Sequence, residues 1–285
     1  MAEIAVIIPH LNDALRLRRC LTELMPQVSD EVEVVVVDNG SKQPLDELQR
    51  DFPKVRFLRE TRVGAAEARN RGVAETNAPM LAFIDSDCVP AADWVAVARV
   101  VGDLGDLIGG RVDVFDETPP PRSGAQAFET VFAFDFQTYV EKKGFSGSGN
   151  LVTRRDVFEA TGPFLTGLSE DLNWCHRATA LGFRLVYAND LHVQHPTRDD
   201  WPALRRKWRR LTNEGFGING NTPNARLRWA LRALAMPASA VVHVPKVLRH
   251  PALRDSGERL RGLITLFRVR LLRMIWMLAQ AVRGR

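Results

Sequence analysis

Short apolar runs alternate with amphipathic segments along the first 90 residues of the chain. The apolar runs have the length and composition of buried strands, and they lie at residues 4–8, 32–37, 55–58 and 80–84. Between them, apolar residues recur at roughly helical spacing, at residues 13–25, 45–50 and 64–75. This alternation at short intervals predicts an α/β fold with a mostly parallel central sheet and right-handed crossovers.

The pattern changes in the second half of the chain. The predicted elements are a strand at 108–115, a glycine-rich loop at 144–150, a helix at 172–181 with Ser169 as its N-cap, and a last strand at 183–188. Beyond residue 198 the chain is helical and basic. We therefore expect a body of residues 1–197, with halves of about 1–115 and 116–197, and a helical C-terminal region of residues 198–285.

Composition excludes several protein classes. Hydrophobic residues make up 45% of the 285 residues and charged residues 26%, which is typical of a globular protein. No stretch of about 18 consecutive apolar residues occurs, which argues against a polytopic membrane protein. The three cysteines are far apart in sequence, and the N-terminus lacks the features of a signal peptide, so we expect a reducing, cytoplasmic setting.

Charge is distributed unevenly along the chain. Residues 198–285 carry 19 Lys and Arg against 5 Asp and Glu, although the net charge of the whole chain is only +5. An acidic body with a basic C-terminal region suggests an anionic partner, of which lipid headgroups and nucleic acid are the obvious candidates. The same region could instead pair with the acidic body.

Polar side chains follow the predicted strands at their carboxyl ends. Asp38 follows the second strand, and the D-x-D of Asp85 and Asp87 follows the fourth. In α/β sheets ligands bind beyond these strand ends. Two carboxylates one residue apart can approach one Mg²⁺ or Mn²⁺ ion, which would leave positions for the phosphates of a substrate. Ordinary turn and capping roles remain an alternative for each residue alone.

Six motifs in this order make residues 3–197 resemble the family 2 glycosyltransferases. They are AVIIP at 5–9, VVVVDNGS at 34–41, GAAEARNRG at 64–72, FIDSD at 83–87, GSGN at 147–150 and SED at 169–171. The resemblance implies the GT-A fold, a Rossmann-like sheet flanked by helices. It also implies an inverting, metal-dependent transfer of sugar from a nucleotide-sugar donor, which in this family is mostly UDP-linked.

The resemblance implies a role for each matching position. The residues expected to bind the nucleotide sugar are Pro9, Asp38, Arg69, Asn70, Arg71, Asp85, Ser86 and Asp87. Those expected to hold Mn²⁺ or Mg²⁺ are Asp85, Asp87 and His195. Asp171 is the expected catalytic base, with Glu170 beside it. Those expected on the acceptor side are Ser148, Gly149, Asn150 and Trp174.

The chemistry agrees with these residue types. An inverting transferase needs a base for the acceptor hydroxyl and a Lewis acid on the leaving diphosphate, but no covalent nucleophile. Two alternatives remain. A sugar nucleotidyltransferase would normally carry a glycine-rich phosphate loop after the first strand, where this chain has PHLNDA at 9–14. A non-catalytic adaptor would not need the D-x-D and Glu-Asp pairs.

The C-terminal region departs from the processive members of the family. They carry Q-x-x-R-W where this chain has LRRKW at 204–208, and this chain also lacks flanking transmembrane helices, so we expect transfer of a single sugar. Residues 224–285 carry 13 Lys and Arg against 2 Asp and Glu. We expect them to dock on an anionic membrane, peripherally on its cytoplasmic face, near a lipid or saccharide acceptor. The alternative is that their aliphatic faces complete the core or form a homodimer seam, and no nucleic acid is expected.

Overall fold

The computed structural model describes residues 2–167 and 169–284. Its contacts divide the chain into two compact units. The first unit comprises Met1–Asp113 and Asp135–His195, and the second comprises Val114–Phe134 and Pro196–Arg285. The unit that contains the C-terminal helices therefore also contains a segment from the middle of the chain. The domain bounds expected from sequence, with halves of a body ending at residue 197, stay a prediction.

Strands and helices alternate through the first half of the chain, as predicted. The strands are β1 (Ile4–His10), β2 (Val32–Asp38), β3 (Arg56–Arg59), β4 (Met80–Ile84), β5 (Val89–Pro90), β6 (Leu107–Phe115), β7 (Asn150–Arg154) and β8 (Leu185–Pro196). The helices are α1 (Ala14–Leu24), α2 (Asp46–Asp51), α3 (Ala65–Ala74), α4 (Trp94–Val100), α5 (Gly124–Phe132), α6 (Phe136–Lys143), α7 (Arg155–Thr161), α8 (Glu170–Ala180), α9 (Trp201–Asn219), α10 (Pro223–Leu234), α11 (Met236–Leu248) and α12 (Ser256–Arg283).

The eight strands form one sheet in the order β3-β2-β1-β4-β7-β6-β8-β5. The first four of these are parallel, whereas β7 is antiparallel to both β4 and β6, and β5 is antiparallel to β8. The parallel part corresponds to the predicted alternation, and its strands β1 and β2 are almost entirely buried. The carboxyl ends of β1, β2 and β4 therefore meet at one edge of the sheet.

The helices of the first unit cover the sheet with apolar faces. In α1, Leu17, Cys20, Leu21 and Leu24 are buried, and the side chain of Asp13 caps the helix by accepting from the Arg16 backbone N–H. All three cysteines are buried and free. The pattern did not predict α4 and α6, which are short helices of 7 and 8 residues.

The second unit is helical and has its own core. Phe128 of α5 packs there with Leu204 of α9, Val247 of α11 and Leu266 of α12. Within residues 2–167 and 169–284, no single helix is long and apolar enough to cross a membrane. The helices α10 and α11, which are bent by 45° at the break between them, meet the length and composition criteria together.

Candidate active site

A buried histidine fixes the carboxylate at the end of β2. His10 and Asp38 are partners in the register of β1 and β2, and His10 Nδ1 lies 3.2 Å from Asp38 Oδ1. The backbone N–H of Asp13 donates to His10 Nε2, so the ring proton sits on Nδ1 and is donated to Asp38. The backbone N–H of Ser41 also donates to both Asp38 oxygens, at 3.3 and 3.2 Å. Asp38 is thus held in one orientation.

A cavity of about 470 Å³ opens beside Asp38. Its lining includes Ser41, Leu45, Phe57 and Arg59. The volume is in the range of ligand pockets, and the lining offers one aromatic face, the cations Lys42 and Arg59, and the fixed carboxylate of Asp38. The cavity can therefore receive a planar group with hydrogen-bond donors.

Arg69 of α3 is buried and joins two acidic segments that are distant in sequence. Its guanidinium donates to Asp85 Oδ1 at 2.6 Å through Nη2 and to Glu170 Oε1 at 2.9 Å through Nη1. Its side chain is only 4% exposed. Burial alone would lower the pKa of Arg69, but the Asp85, Asp171 and Glu170 carboxylates raise it above its usual range. The structure thus places one permanent cation among these carboxylates.

The carboxyl groups around Arg69 are perturbed by burial and by one another. Burial raises the pKa of Asp85, Arg69 opposes that rise, and the nearby Asp87 and Asp171 carboxylates add to it. Burial also raises the pKa of Glu170, again opposed by Arg69 and supported by Asp171. Perturbed carboxyl groups that cluster at a sheet edge are typical of functional sites.

The second carboxylate of the D-x-D has a different partner. Asp87 Oδ2 lies 3.2 Å from Nε2 of His195, near the end of β8. A nucleotide-bound Mg²⁺ or Mn²⁺ usually takes one or two protein ligands and completes its shell with phosphate oxygens and water. Asp87 and His195 together would supply two protein ligands, which matches that number. Among the described residues no group of three or more His, Cys, Asp or Glu side chains is arranged to hold a metal ion, so phosphate oxygens would have to complete the shell.

Asp171 lies in the first turn of α8, directly after Glu170. The hydroxyl of Ser148 donates to Asp171 Oδ1 at 2.6 Å. Negative charge is favourable at this end of a helix. Ser169 occupies the N-cap position as predicted, but its side chain makes no capping hydrogen bond with the described residues. The Ser148 hydroxyl therefore orients the Asp171 carboxylate.

The glycine-rich loop approaches the D-x-D closely. The backbone N–H of Asp85 donates to the carbonyl of Gly149 at 3.4 Å. A Cβ atom at residue 149 would lie 2.6 Å from Asp85 Oδ2, which is shorter than any ordinary contact. Any side chain at residue 149 would therefore displace the Asp85 carboxylate, which Arg69 holds in place.

Four of the predicted site residues have their side chains engaged elsewhere. Asn70 exchanges two hydrogen bonds of 2.9 Å with the backbone of Phe164, and exposed Arg71 pairs with Glu75. Asn150 is buried and holds the carbonyls of residues 111 and 191 through its amide group. Trp174 is 0% exposed, because its ring packs on Phe158 and Phe164 and its Nε1–H donates to the carbonyl of Gly162. The structure thus buries the Trp174 ring in the core, and its place on the acceptor side stays a prediction.

The other predicted site residues lie at the sheet edge. Pro9 directly precedes His10 at the end of β1, and Ser86 directly follows Asp85 after the end of β4, so both lie at this edge of the sheet. Sequence reasoning assigned no role to His10, although it sits at a strand end. Its pairing with Asp38 depends on strand register, which no local motif reveals.

Comparison with known proteins relates the chain to a family. The model described as Glycosyl transferase family 2 matches residues 5–162. The glycosyltransferase AglE of Haloferax volcanii is 31% identical over 217 residues, which cover 72% of this chain and 71% of that protein. The pre-mycofactocin glycosyltransferase of Mycobacterium tuberculosis is 28% identical over 223 residues, which cover 71% of this chain and 45% of that protein.

Two solved structures share the fold. A mannosyltransferase from Pyrobaculum calidifontis, in complex with GDP-Man and Mn²⁺, matches with a TM-score of 0.53 at 18% identity, covering 99% of this chain and 76% of that chain. S. aureus TarS in complex with UDP-GlcNAc matches with a TM-score of 0.55 at 16% identity, covering 100% of this chain and 93% of that chain. These matches confirm the expected GT-A fold.

Proposed function

The chain belongs to glycosyltransferase family 2, and from this membership we propose that it moves one sugar from a UDP-sugar to an acceptor hydroxyl with inversion. The observation that carries the proposal is that buried Arg69 joins Asp85, directly after β4, to Glu170 at the start of α8. A donor needs recognition of a base, neutralisation of a diphosphate and a proton acceptor. Asp38, Asp87 and Asp171 are the residues that we assign to these tasks.

Asp38 and the adjoining cavity form the proposed site for the nucleobase. Because His10 and the Ser41 backbone hold its carboxylate, Asp38 can accept from the imide N–H of uracil without losing side-chain freedom on binding. Phe57 in the cavity lining offers a face against the base. Guanine also offers N–H donors, so Asp38 alone does not distinguish UDP from GDP. We assign that choice to the size of the base.

Asp87 and His195 are the proposed protein ligands of a donor-bound Mn²⁺ or Mg²⁺, near Asp85 and Ser86. When bound, such an ion supplies charge stabilisation to the leaving diphosphate. Asp85 contributes differently, because Arg69 already engages one of its oxygens at 2.6 Å. We assign Asp85 to the ribose and to the alignment of the D-x-D loop.

Asp171 is the proposed catalytic base. The acceptor oxygen forms a bond to the anomeric carbon while the bond from that carbon to the diphosphate breaks, and the hydroxyl proton passes to the Asp171 carboxylate. The transition state has oxocarbenium character and needs no enzyme nucleophile, so the sugar inverts. Ser148 orients the base through its 2.6 Å hydrogen bond, and Glu170 positions Arg69. Ser148 and Gly149 would flank the acceptor.

We also propose that residues 224–285 hold the enzyme on the inner face of the cytoplasmic membrane, where a lipid-linked or saccharide acceptor is presented. One side of α12 exposes a row of apolar side chains, which we call the apolar stripe: Leu260, Ile264, Phe267, Leu271 and Ile275. An exposed apolar row flanked by many arginines matches an interfacial helix. Full-length protein should sediment with anionic vesicles and be released by salt. A dimer in light scattering together with no sedimentation would favour the homodimer instead.

Thermal stability with a panel of nucleotide sugars tests the donor assignment. A ligand at 100 times its Kd stabilises the native state by about 2.7 kcal/mol. We expect the largest shift in melting temperature from a UDP-sugar with Mn²⁺, and we expect Asp87→Asn to lose only the metal-dependent part. A metal-dependent shift that is unchanged in folded Asp87→Asn would move the metal elsewhere.

A further inference from the structure

A groove on the second unit runs between α9 and α12. It has a volume of about 740 Å³, and we call it the basic groove. Its lining includes four arginines of α9 and two tryptophans, namely Arg205, Arg206, Arg209, Arg210, Trp201 and Trp276. This volume is in the range of ligand sites. The groove takes no part in the transfer chemistry proposed above.

Most of the positive charge in the basic groove is uncompensated. Arg210 pairs with Glu214 of the same helix at 3.2 Å. Arg205 and Arg206 are exposed and make no ion pair with the residues that the structure describes. Arg209 lies over the ring of Trp276, at 5.1 Å from its centroid. Three guanidinium groups therefore face solvent without a carboxylate, which suits a ligand that carries two negative charges.

The tryptophans connect the basic groove with the apolar stripe. Arg268 of α12 stacks over Trp201 at 3.8 Å from the ring centroid. At 100° per residue, Arg268 falls on the side of α12 between Trp276 and the stripe residues Ile264 and Leu271. Tryptophan is the side chain favoured at a boundary between apolar and hydrated surroundings. Cationic, aromatic and apolar zones therefore follow one another around this helix.

We propose that the basic groove binds the terminal phosphate or diphosphate of a lipid, whose chains lie along the apolar stripe. The inference rests on the membrane docking proposed above and names the lipid chemistry that it would recognise. Forked guanidinium groups bind phosphate through paired N–H bonds, which ammonium groups cannot reproduce. A nucleic acid also offers phosphates, but it offers nothing to cover an adjacent row of exposed Leu, Ile and Phe side chains. A phosphate-bearing lipid matches both zones.

Substitutions that preserve charge separate recognition from general attraction. The test variant is Arg205→Lys/Arg206→Lys/Arg209→Lys. The matched control is Arg228→Lys/Arg232→Lys/Arg249→Lys, at three exposed arginines of the same unit outside the groove. Binding is measured by co-sedimentation with phosphatidylcholine vesicles that contain phosphatidic acid, or phosphatidylglycerol at equal surface charge. Circular dichroism and melting temperature verify that both variants fold.

We expect wild type to prefer phosphatidic acid, whose phosphate is terminal. The test variant should bind these vesicles at least tenfold more weakly, and the control should bind within twofold of wild type. Equal binding by the test variant and wild type would overturn the basic groove as a phosphate site while leaving membrane docking intact. Wild type that stays off all vesicles but binds pyrophosphate in calorimetry would overturn the lipid assignment.

Release of UDP from a UDP-sugar is measured on the same samples without lipid. Wild type that shows no preference for phosphatidic acid but releases UDP normally contradicts only the lipid site. Wild type that neither binds a UDP-sugar nor releases UDP from it with water as the acceptor contradicts the proposed transfer reaction, whatever the vesicles show.

Discussion

Replacing Arg69 with methionine removes the buried cation that holds the carboxylate cluster together. Breaking a fully buried ion pair costs about 3–5 kcal/mol, whereas an exposed pair contributes about 1 kcal/mol or less. Arg69 is 4% exposed, but its partners Asp85 and Glu170 are 36% and 28% exposed, so water can partly replace the lost contacts. We expect an intermediate loss of about 2 kcal/mol, which lowers the melting temperature by about 4–8 °C in a unit of this size.

The same substitution has a second consequence that simple destabilisation would not produce. Arg69 lowers the pKa values of Asp85 and Glu170, which burial raises. Without Arg69 both pKa values rise further, so the acidic limb of kcat/KM for UDP release should move to higher pH. Arg56→Met is the control, because Arg56 also pairs with two carboxylates, those of Glu33 and Glu75, but is 43% exposed and is not one of the predicted site residues. An unchanged acidic limb together with a melting temperature within 1 °C of wild type would refute this reasoning.

Three further outcomes follow from close contacts and buried charge. Gly149→Ala should weaken UDP-sugar binding in calorimetry at least tenfold, because the new Cβ would lie 2.6 Å from Asp85 Oδ2, while Gly217→Ala, which meets nothing within 4 Å, should not. Lys207→Met should lower the free energy of unfolding by about 1–2 kcal/mol, less than for a buried charge left with no partner, because Arg198 still pairs with Glu129, and Glu129→Gln in the same chain should restore part of the loss. Burial alone would raise the pKa of Glu129, but Lys207 and a neighbouring arginine lower it, so the stability it contributes is present above pH 4.5 and is lost as the pH falls through the folded-state value. Urea unfolding at pH 7 and pH 3.5 should therefore show a larger acid loss for wild type than for Glu129→Gln, and equal losses would contradict this.

The fold could be predicted because its signals are local. Each parallel strand is a short apolar run, and the helices between them show periodic apolar positions, so β1 to β4 and α1 to α3 were found within a few residues. The antiparallel part was harder. The last strand was predicted at 183–188, whereas β8 extends over Leu185–Pro196. Its second half was missed because buried and exposed residues do not alternate regularly along it. Pairing partners, which decide strand direction, are a tertiary property.

Whether a site residue could be predicted also depended on whether its signal is local in the sequence. Asp85 and Asp87 could be found because a D-x-D after a buried strand is a local pattern. The role of Arg69 as the link between Asp85 and Glu170 spans 101 residues of sequence, so no motif contains it. The acceptor-side place of Trp174 stays a prediction, and nothing in the sequence indicated that its ring is buried. The actual inner face of α8 contains Trp174, Cys175 and Ala178, and there the indole packs in the core.

In the second unit, too, the contacts between segments that are distant in the chain could not be predicted from the sequence. Its helices and their positive charge are visible in the sequence. The grouping of Val114–Phe134 with Pro196–Arg285 is not, because α5 is separated from α9 and α12 by the strands of the other unit. The basic groove is likewise lined by residues that are distant in the chain, such as Arg206 and Trp276, and sequence alone indicated only a basic tail.

The most direct test of the account is UDP release from a UDP-sugar by Asp171→Asn, with water as the acceptor and Mn²⁺ present. The amide keeps the shape of the carboxylate but does not act as a base, so we predict a loss of about 10²–10⁴ in kcat with the Kd for UDP unchanged. Ser148→Ala, which removes only the 2.6 Å hydrogen bond to the base, should lose far less. Near-normal turnover by folded Asp171→Asn would contradict the assignment of the base and with it the proposed mechanism.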